Sequence, residues 1–159
     1  MPSDYYLNID QVQGESQAMT DAVELDSWSF GISSPADVGG MGLSAGKPSC
    51  SDLSFTFALD KASPQILSNL CKGTHVATVT FTGRKTGGDS KPYTYLVITL
   101  TNCFVTGYSL GGGAQGVPSA SSSIAYEQIK YEYFTQDTSS GTTTNAGTAQ
   151  YHIGQVNVS

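Results

Sequence analysis

Hydrophobic and polar positions alternate with a period of two along much of this chain. The sharpest case is residues 27–32, where Trp28, Phe30 and Ile32 alternate with Ser27, Ser29 and Gly31. Successive side chains of a strand point to opposite faces. The segment therefore predicts a strand with one bulky apolar face and one face of small polar groups. Within the wider strand predicted over 22–32, Leu25 and Trp28 are out of phase by one residue. A bulge near Asp26-Ser27 would reconcile them.

The same alternation predicts strands over 5–9, 51–59, 76–85, 92–105, 124–134 and 151–158. Over 51–59, Leu53, Phe55, Phe57 and Leu59 take one side, with Asp52, Ser54, Thr56 and Ala58 on the other. In 124–134 the alternation sets Tyr126 on one face and Tyr131 and Tyr133 on the other. One helix stands out between the strands. Ser63 suits its N-cap, Pro64 its first turn and Gly73 its C-terminal stop. Ile66, Leu67, Leu70 and Cys71 supply a stripe at helical spacing. Residues 33–49 read as a long loop with apolar Met41 and Leu43 near its tip. Residues 107–123 read as a Gly/Ser loop, and 135–149 as a polar, mobile segment. Seven or eight strands with few charges at their edges suit a closed barrel, or edges covered by neighbours.

Composition fits one β-rich domain over residues 1–159. Charged residues make up 13% and apolar ones 38% of the chain. A net charge of −6 offers no basic patch, so nucleic acid and anionic membranes are not expected partners. No run is long enough for a transmembrane helix. The first residues lack the basic and apolar regions of a cleavable signal peptide. Cys50, Cys71 and Cys103 are odd in number and widely spaced, which predicts free, buried thiols.

Candidate chemistry is sparse. Gly111 to Gly116 matches G-x-G-x-x-G, but a proline and a serine run follow it instead of a helix, so a loop is expected. Cys71 and His75 are two ligands short of a zinc site. His75 and His152 are the only histidines, and no nucleophile stands with a base and an orienting group. Neither a catalytic site, a metal nor a cofactor is expected. Arg84-Lys85, before Thr86-Gly87-Gly88, reads either as a solvated hairpin tip or as a contact to an acidic surface of another subunit.

Several landmarks, taken in order and spacing, resemble the haemolysin-coregulated protein family, Hcp, of type VI secretion. They are Gly14-Glu15-Ser16, Leu25-Asp26-Ser27-Trp28-Ser29-Phe30-Gly31, Lys61-Ala62-Ser63-Pro64, Gly73-Thr74-His75, Arg84-Lys85-Thr86-Gly87-Gly88 and Tyr95-Leu96-Val97-Ile98-Thr99-Leu100. The resemblance covers roughly residues 4–134. It implies a compact β-barrel with one flanking helix, a homohexameric ring, and rings stacked into a hollow tube. It also implies effector proteins carried in the lumen, with spike and sheath components as further partners. The protein would be made in the bacterial cytoplasm and exported by the same apparatus.

In that setting Ser27, Ser29 and Gly31 are the candidate lumen face. Gly39, Gly40, Met41, Gly42 and Leu43 are the candidate loop towards a neighbouring subunit or ring, and Arg84 and Lys85 a candidate subunit contact. Two alternatives keep a β-barrel. One is the tube of a related phage-like contractile particle. The other is a lectin-like module using Tyr93, Tyr95 and Tyr108.

Overall fold

A computed structural model describes residues 3–34, 36–39, 42–45, 48–86, 91–137 and 142–153. The main sheet is built from β1 (Ser3–Ile9), β2 (Val23–Leu25), β3 (Ser27–Ser29), β8 (Leu53–Ala58), β9 (Val76–Thr86), β10 (Pro92–Gly111), β11 (Ser119–Gln136) and β12 (Thr143–His152). Its antiparallel order is β2-β1-β9-β10-β11-β8-β3, with β12 added to β11. The two ends of that path, β2 and β3, are consecutive in the chain and separated by Asp26 alone. Asp26 N–H donates to the Thr56 carbonyl of β8 at 2.8 Å. The chain thus steps across the gap and brings the sheet round into a nearly closed barrel.

This step corrects the expectation of one bulged strand over 22–32. The phase change between Leu25 and Trp28 marks a change of neighbour, from β1 to β8. Leu25 is buried from one edge and Trp28 packs from the other.

The core fills the barrel with Leu7, Val23, Leu53, Phe55, Phe57, Phe81, Ile98, Leu100 and Ile124, among others. Three neighbouring strands change phase at one level. Val76, Cys103 and Tyr126 are register partners and all buried; so are Val79, Leu100 and Ile129, three residues further along each strand. A plain strand would repeat every two. Asn102 takes up the change with φ at 53°, in the left-handed region. Asparagine tolerates that region better than most residues. Its Nδ2 donates to Glu127 Oε2 at 2.8 Å. The bend carries the inward face from Tyr126 to Ile129, so the opposite faces expected for Tyr126 and Tyr131 do not hold.

Residues 33–49 are not a plain loop. β4 (Ile32–Ser33) pairs with β7 (Ser49–Cys50), and β5 (Ala36–Gly39) pairs with β6 (Gly42–Ala45). These two small sheets are separate from the barrel sheet, so the segment is a hairpin arm. Residues 107–123 and 135–149 also contribute strands, because cross-strand partners supply what their own side chains lack in burial. β10 and β11 run on to Gly111 and Ser119, and β12 occupies 143–152. The last strand expected at 151–158 ends at His152, and 154–159 lie outside the described residues.

The helix α1 (Ser63–Lys72) has Ala62, not Ser63, at its N-cap. Asp60 turns the chain first. Its carboxylate accepts the Ala62 N–H at 2.7 Å and its carbonyl the Ser63 N–H at 3.1 Å. Ser63 therefore enters the first turn, with a buried hydroxyl that has no partner. Gly73, at φ 63°, ends the helix as expected. Ile66 faces the core, whereas Leu67 and Cys71 are exposed. Cys71 therefore departs from the expectation of buried thiols; Cys50 is half-buried and Cys103 buried.

Candidate functional site

Four strands build one continuous wall of small hydroxylated residues. The registers of β3, β8, β11 and β10 align Ser27, Thr56, Ser121 and Ser109 in one lateral row. They align Ser29, Ser54, Ser123 and Gly107 in another. Each residue of a row shares its sheet face with its lateral partners. On the opposite face the same strands align Trp28, Phe55, Ser122 and Tyr108. Trp28 packs there on Phe81 with ring centroids 4.4 Å apart, on Tyr5 at 5.6 Å and beside Phe30 at 6.3 Å. The indole anchors the wall to the core, and Ser27 and Ser29 are exposed.

The hydroxyls bond mainly to one another. Ser27 Oγ and Thr56 Oγ1 lie 2.6 Å apart, Ser109 Oγ and Ser121 Oγ 2.5 Å, and Thr106 Oγ1 and Ser123 Oγ 2.8 Å. Thr106 also donates to Asp52 at 2.6 Å. Gly107 is needed for close packing, since a Cβ there would stand 2.9 Å from Ser123 Oγ. Over this wall lies an open depression of about 440 Å³. Such a surface offers hydrogen-bonding capacity without a deep pocket; the two rows themselves carry no charge, and the carboxylate joined to them is Asp52, through Thr106. It is suited to contact with many different partners.

Ser27 and Ser29 lie in these rows, and Gly31 does not. Gly31 follows β3 and is exposed, donating its N–H to Ser51 Oγ at 2.7 Å. Gly39, Gly42 and Leu43 belong to the hairpin arm, where Gly39 pairs with Gly42 and Val38 with Leu43. Gly40 and Met41 lie outside the described residues. Arg84 and Lys85 sit near the far end of β9, apart from the wall. Arg84 Nη1 donates to the Ala18 carbonyl at 3.4 Å. Lys85 Nζ stands over the Tyr95 and Tyr93 rings at 4.8 and 5.7 Å.

Tyr93 and Tyr108 lie near opposite ends of β10, and Tyr95 leans on Gly83. The three tyrosines form no common platform. The His75 ring packs tilted against Phe104 with centroids 4.1 Å apart, and His152 Nε2 lies 3.4 Å from Glu127. Among the described residues, no three His, Cys, Asp or Glu side chains gather as metal ligands.

Sequence reasoning missed Ser109, Ser121 and Ser123 as wall residues. Their signal was the alternation of Ser119, Ser121 and Ser123 with Ala120, Ser122 and Ile124. Ser122, an inward position filled by a small polar residue, hid it. Ser122 is satisfied by donating to the Gly107 carbonyl at 2.7 Å.

The family model for the type VI secretion system effector Hcp matches residues 6–133. Protein hcp1 of Pseudomonas aeruginosa is 34% identical over 137 residues, covering 84% of each chain. The structure of Hcp1 from Salmonella typhimurium, 26% identical, superposes with a TM-score of 0.77 over 97% of each chain. A type VI secretion system effector from Yersinia pestis, also 26% identical, superposes at 0.75 over 94% of this chain and 100% of that one. A further type six secretion system protein, at 24% identity, shares the fold with a TM-score of 0.89 over 99% of this chain and 100% of that one. A barrel nearly closed through the Trp28 strand, a single flanking helix among the described residues and these matches lead to one conclusion: the chain belongs to the Hcp family of type VI secretion tube proteins.

Proposed function

We propose that this protein forms homohexameric rings that stack into the inner tube of a type VI secretion apparatus, with the hydroxyl wall lining the lumen. The observation that carries this reading is the pair of lateral rows through Ser27 and Ser29. Their small, mostly hydrogen-bonded side chains carry no charge of their own and make a wettable wall for a passing protein. Effector proteins travel against this wall, and assembly performs the work without covalent chemistry.

The stretch Gly39, Gly40, Met41, Gly42 and Leu43 contacts a neighbouring subunit or ring. A recess of about 360 Å³ lined chiefly by Phe30, Ile32, Pro48, Ile129, Tyr131 and Tyr151 has the apolar character such a contact requires. Arg84 and Lys85 contact an acidic surface of another subunit. Neither has a carboxylate within ion-pair distance among the described residues. The protein is made in the cytoplasm and leaves through the apparatus, meeting spike and sheath components there. No helix among the described residues is long and apolar enough to cross a membrane.

Native mass spectrometry of the purified protein at micromolar concentration tests this reading, together with electron micrographs. A six-subunit mass and rings with a central hole are expected. A monomer without rings would overturn it.

A further inference from the structure

We propose that the β10–β11 hairpin tip is the surface on which one ring seats the next, its partner being a second copy of this chain. The proposal rests on the ring reading above and specifies which surface meets the neighbouring ring. Val117, 69% exposed, and Leu110, 52% exposed, are the two most exposed large apolar side chains among the described residues, and both flank this tip. Leu59 stands beside them and donates its N–H to the Pro118 carbonyl at 3.0 Å. The tip is held in shape: a Cβ on Gly112 would stand 3.3 Å from Pro118.

Charge and position select the partner. From residue 92 to residue 126 the chain has no Asp, Glu, Lys or Arg, so burying the tip strands no ion. Stranding one would be costly. One lateral row beyond Ser109, Ser121 and Thr56 lies the row Gly111, Ser119 and Ala58. The tip therefore continues the wall. Where the wall lines a pore, the tip stands at the rim, in the plane where the next ring arrives.

Area points the same way. A few side chains fall well short of the roughly 1,200 Å² that a stable pair of proteins buries. The same patch repeated once per subunit engages many times at once, and linked contacts reinforce one another. A patch too small to pair two monomers is therefore enough to stack two rings.

The test compares wild type with Val117→Asp and Leu110→Asp. Native mass spectrometry reads the ring, and sedimentation with electron microscopy at high concentration reads the stacks. Both variants are expected to keep the ring mass and to form at least tenfold fewer stacked particles. Stacking equal to wild type would overturn the proposal while leaving the ring reading intact. So would rings that fall apart to monomers in the variants, because the tip would then belong to the contact within a ring. Wild-type rings that do not stack at any concentration would also overturn it. A monomeric wild type would remove the ring reading itself, and this proposal with it.

Discussion

The hydroxyls of Ser27 and Thr56 meet at 2.6 Å across the β3–β8 ladder, and Ser109 and Ser121 repeat the arrangement at 2.5 Å two strands away. Pairing of this kind lets a sheet show a polar face while holding most of its hydroxyls in place. Ser29 and Ser54, adjacent in the next row, make no comparable bond to each other. They are the hydroxyls of the wall most available to a partner.

Ser29→Glu should therefore leave the fold intact and disturb cargo. Ser29 is exposed, and surface substitutions usually change stability by less than about 0.5 kcal/mol. The expected result is an unchanged melting midpoint with reduced co-purification of effector. A large loss of stability would mean that Ser29 faces the core.

Trp28→Ala should destabilise the barrel by about 3 kcal/mol, the lower end of the range for aromatic truncation in a core. The indole is half-buried, and Phe81, Tyr5 and Phe30 surround it. Denaturant titration measures the change. A near-neutral result would show that the ring contacts contribute little.

Asn102 joins an unusual backbone to a specific bond. Asn102→Ala should cost about 1–2 kcal/mol through the left-handed conformation, and about 1 kcal/mol more through the lost bond to Glu127. Asn102→Gly loses the bond but accepts the backbone, so it should be the milder variant. Equal midpoints for the two would remove the backbone from the explanation.

Stability should fall in alkali. Burial pushes the Cys103 thiol up to about 12 from an ordinary 9.0. Tyr126 is also raised, first by burial and then by the Cys50 thiol and Asp52 nearby. Both folded values exceed the unfolded ones, so the fold favours the neutral forms. That contribution is complete below about pH 9, the ordinary thiol range, and is lost as pH rises through the folded values. Thermal midpoints should stay level near neutrality and drop progressively above pH 9. In Cys103→Ala the midpoint near neutrality should be lower and the alkaline decline shallower. An unchanged slope in that variant would remove Cys103 as a cause.

Period-two alternation made most of the barrel legible in the sequence, including the Trp28 face, and helical spacing with a stop at Gly73 made the helix legible. Both are local: a strand's two faces and a helix's αL end follow from single side chains and short spacings. The serine-rich strands at 107–123 and the threonine-rich strand at 143–152 were not legible. Their burial comes from partners far along the chain, and alone they have the composition of loops.

The sequence by itself determined the family, the alternating strands and a wettable face beside Trp28. Only the tertiary structure decided that Asp26 carries the chain across the barrel gap, and that Ser27 and Ser29 form rows with residues from β8, β10 and β11. Register is set by long-range backbone pairing, and no window of neighbouring residues contains that information.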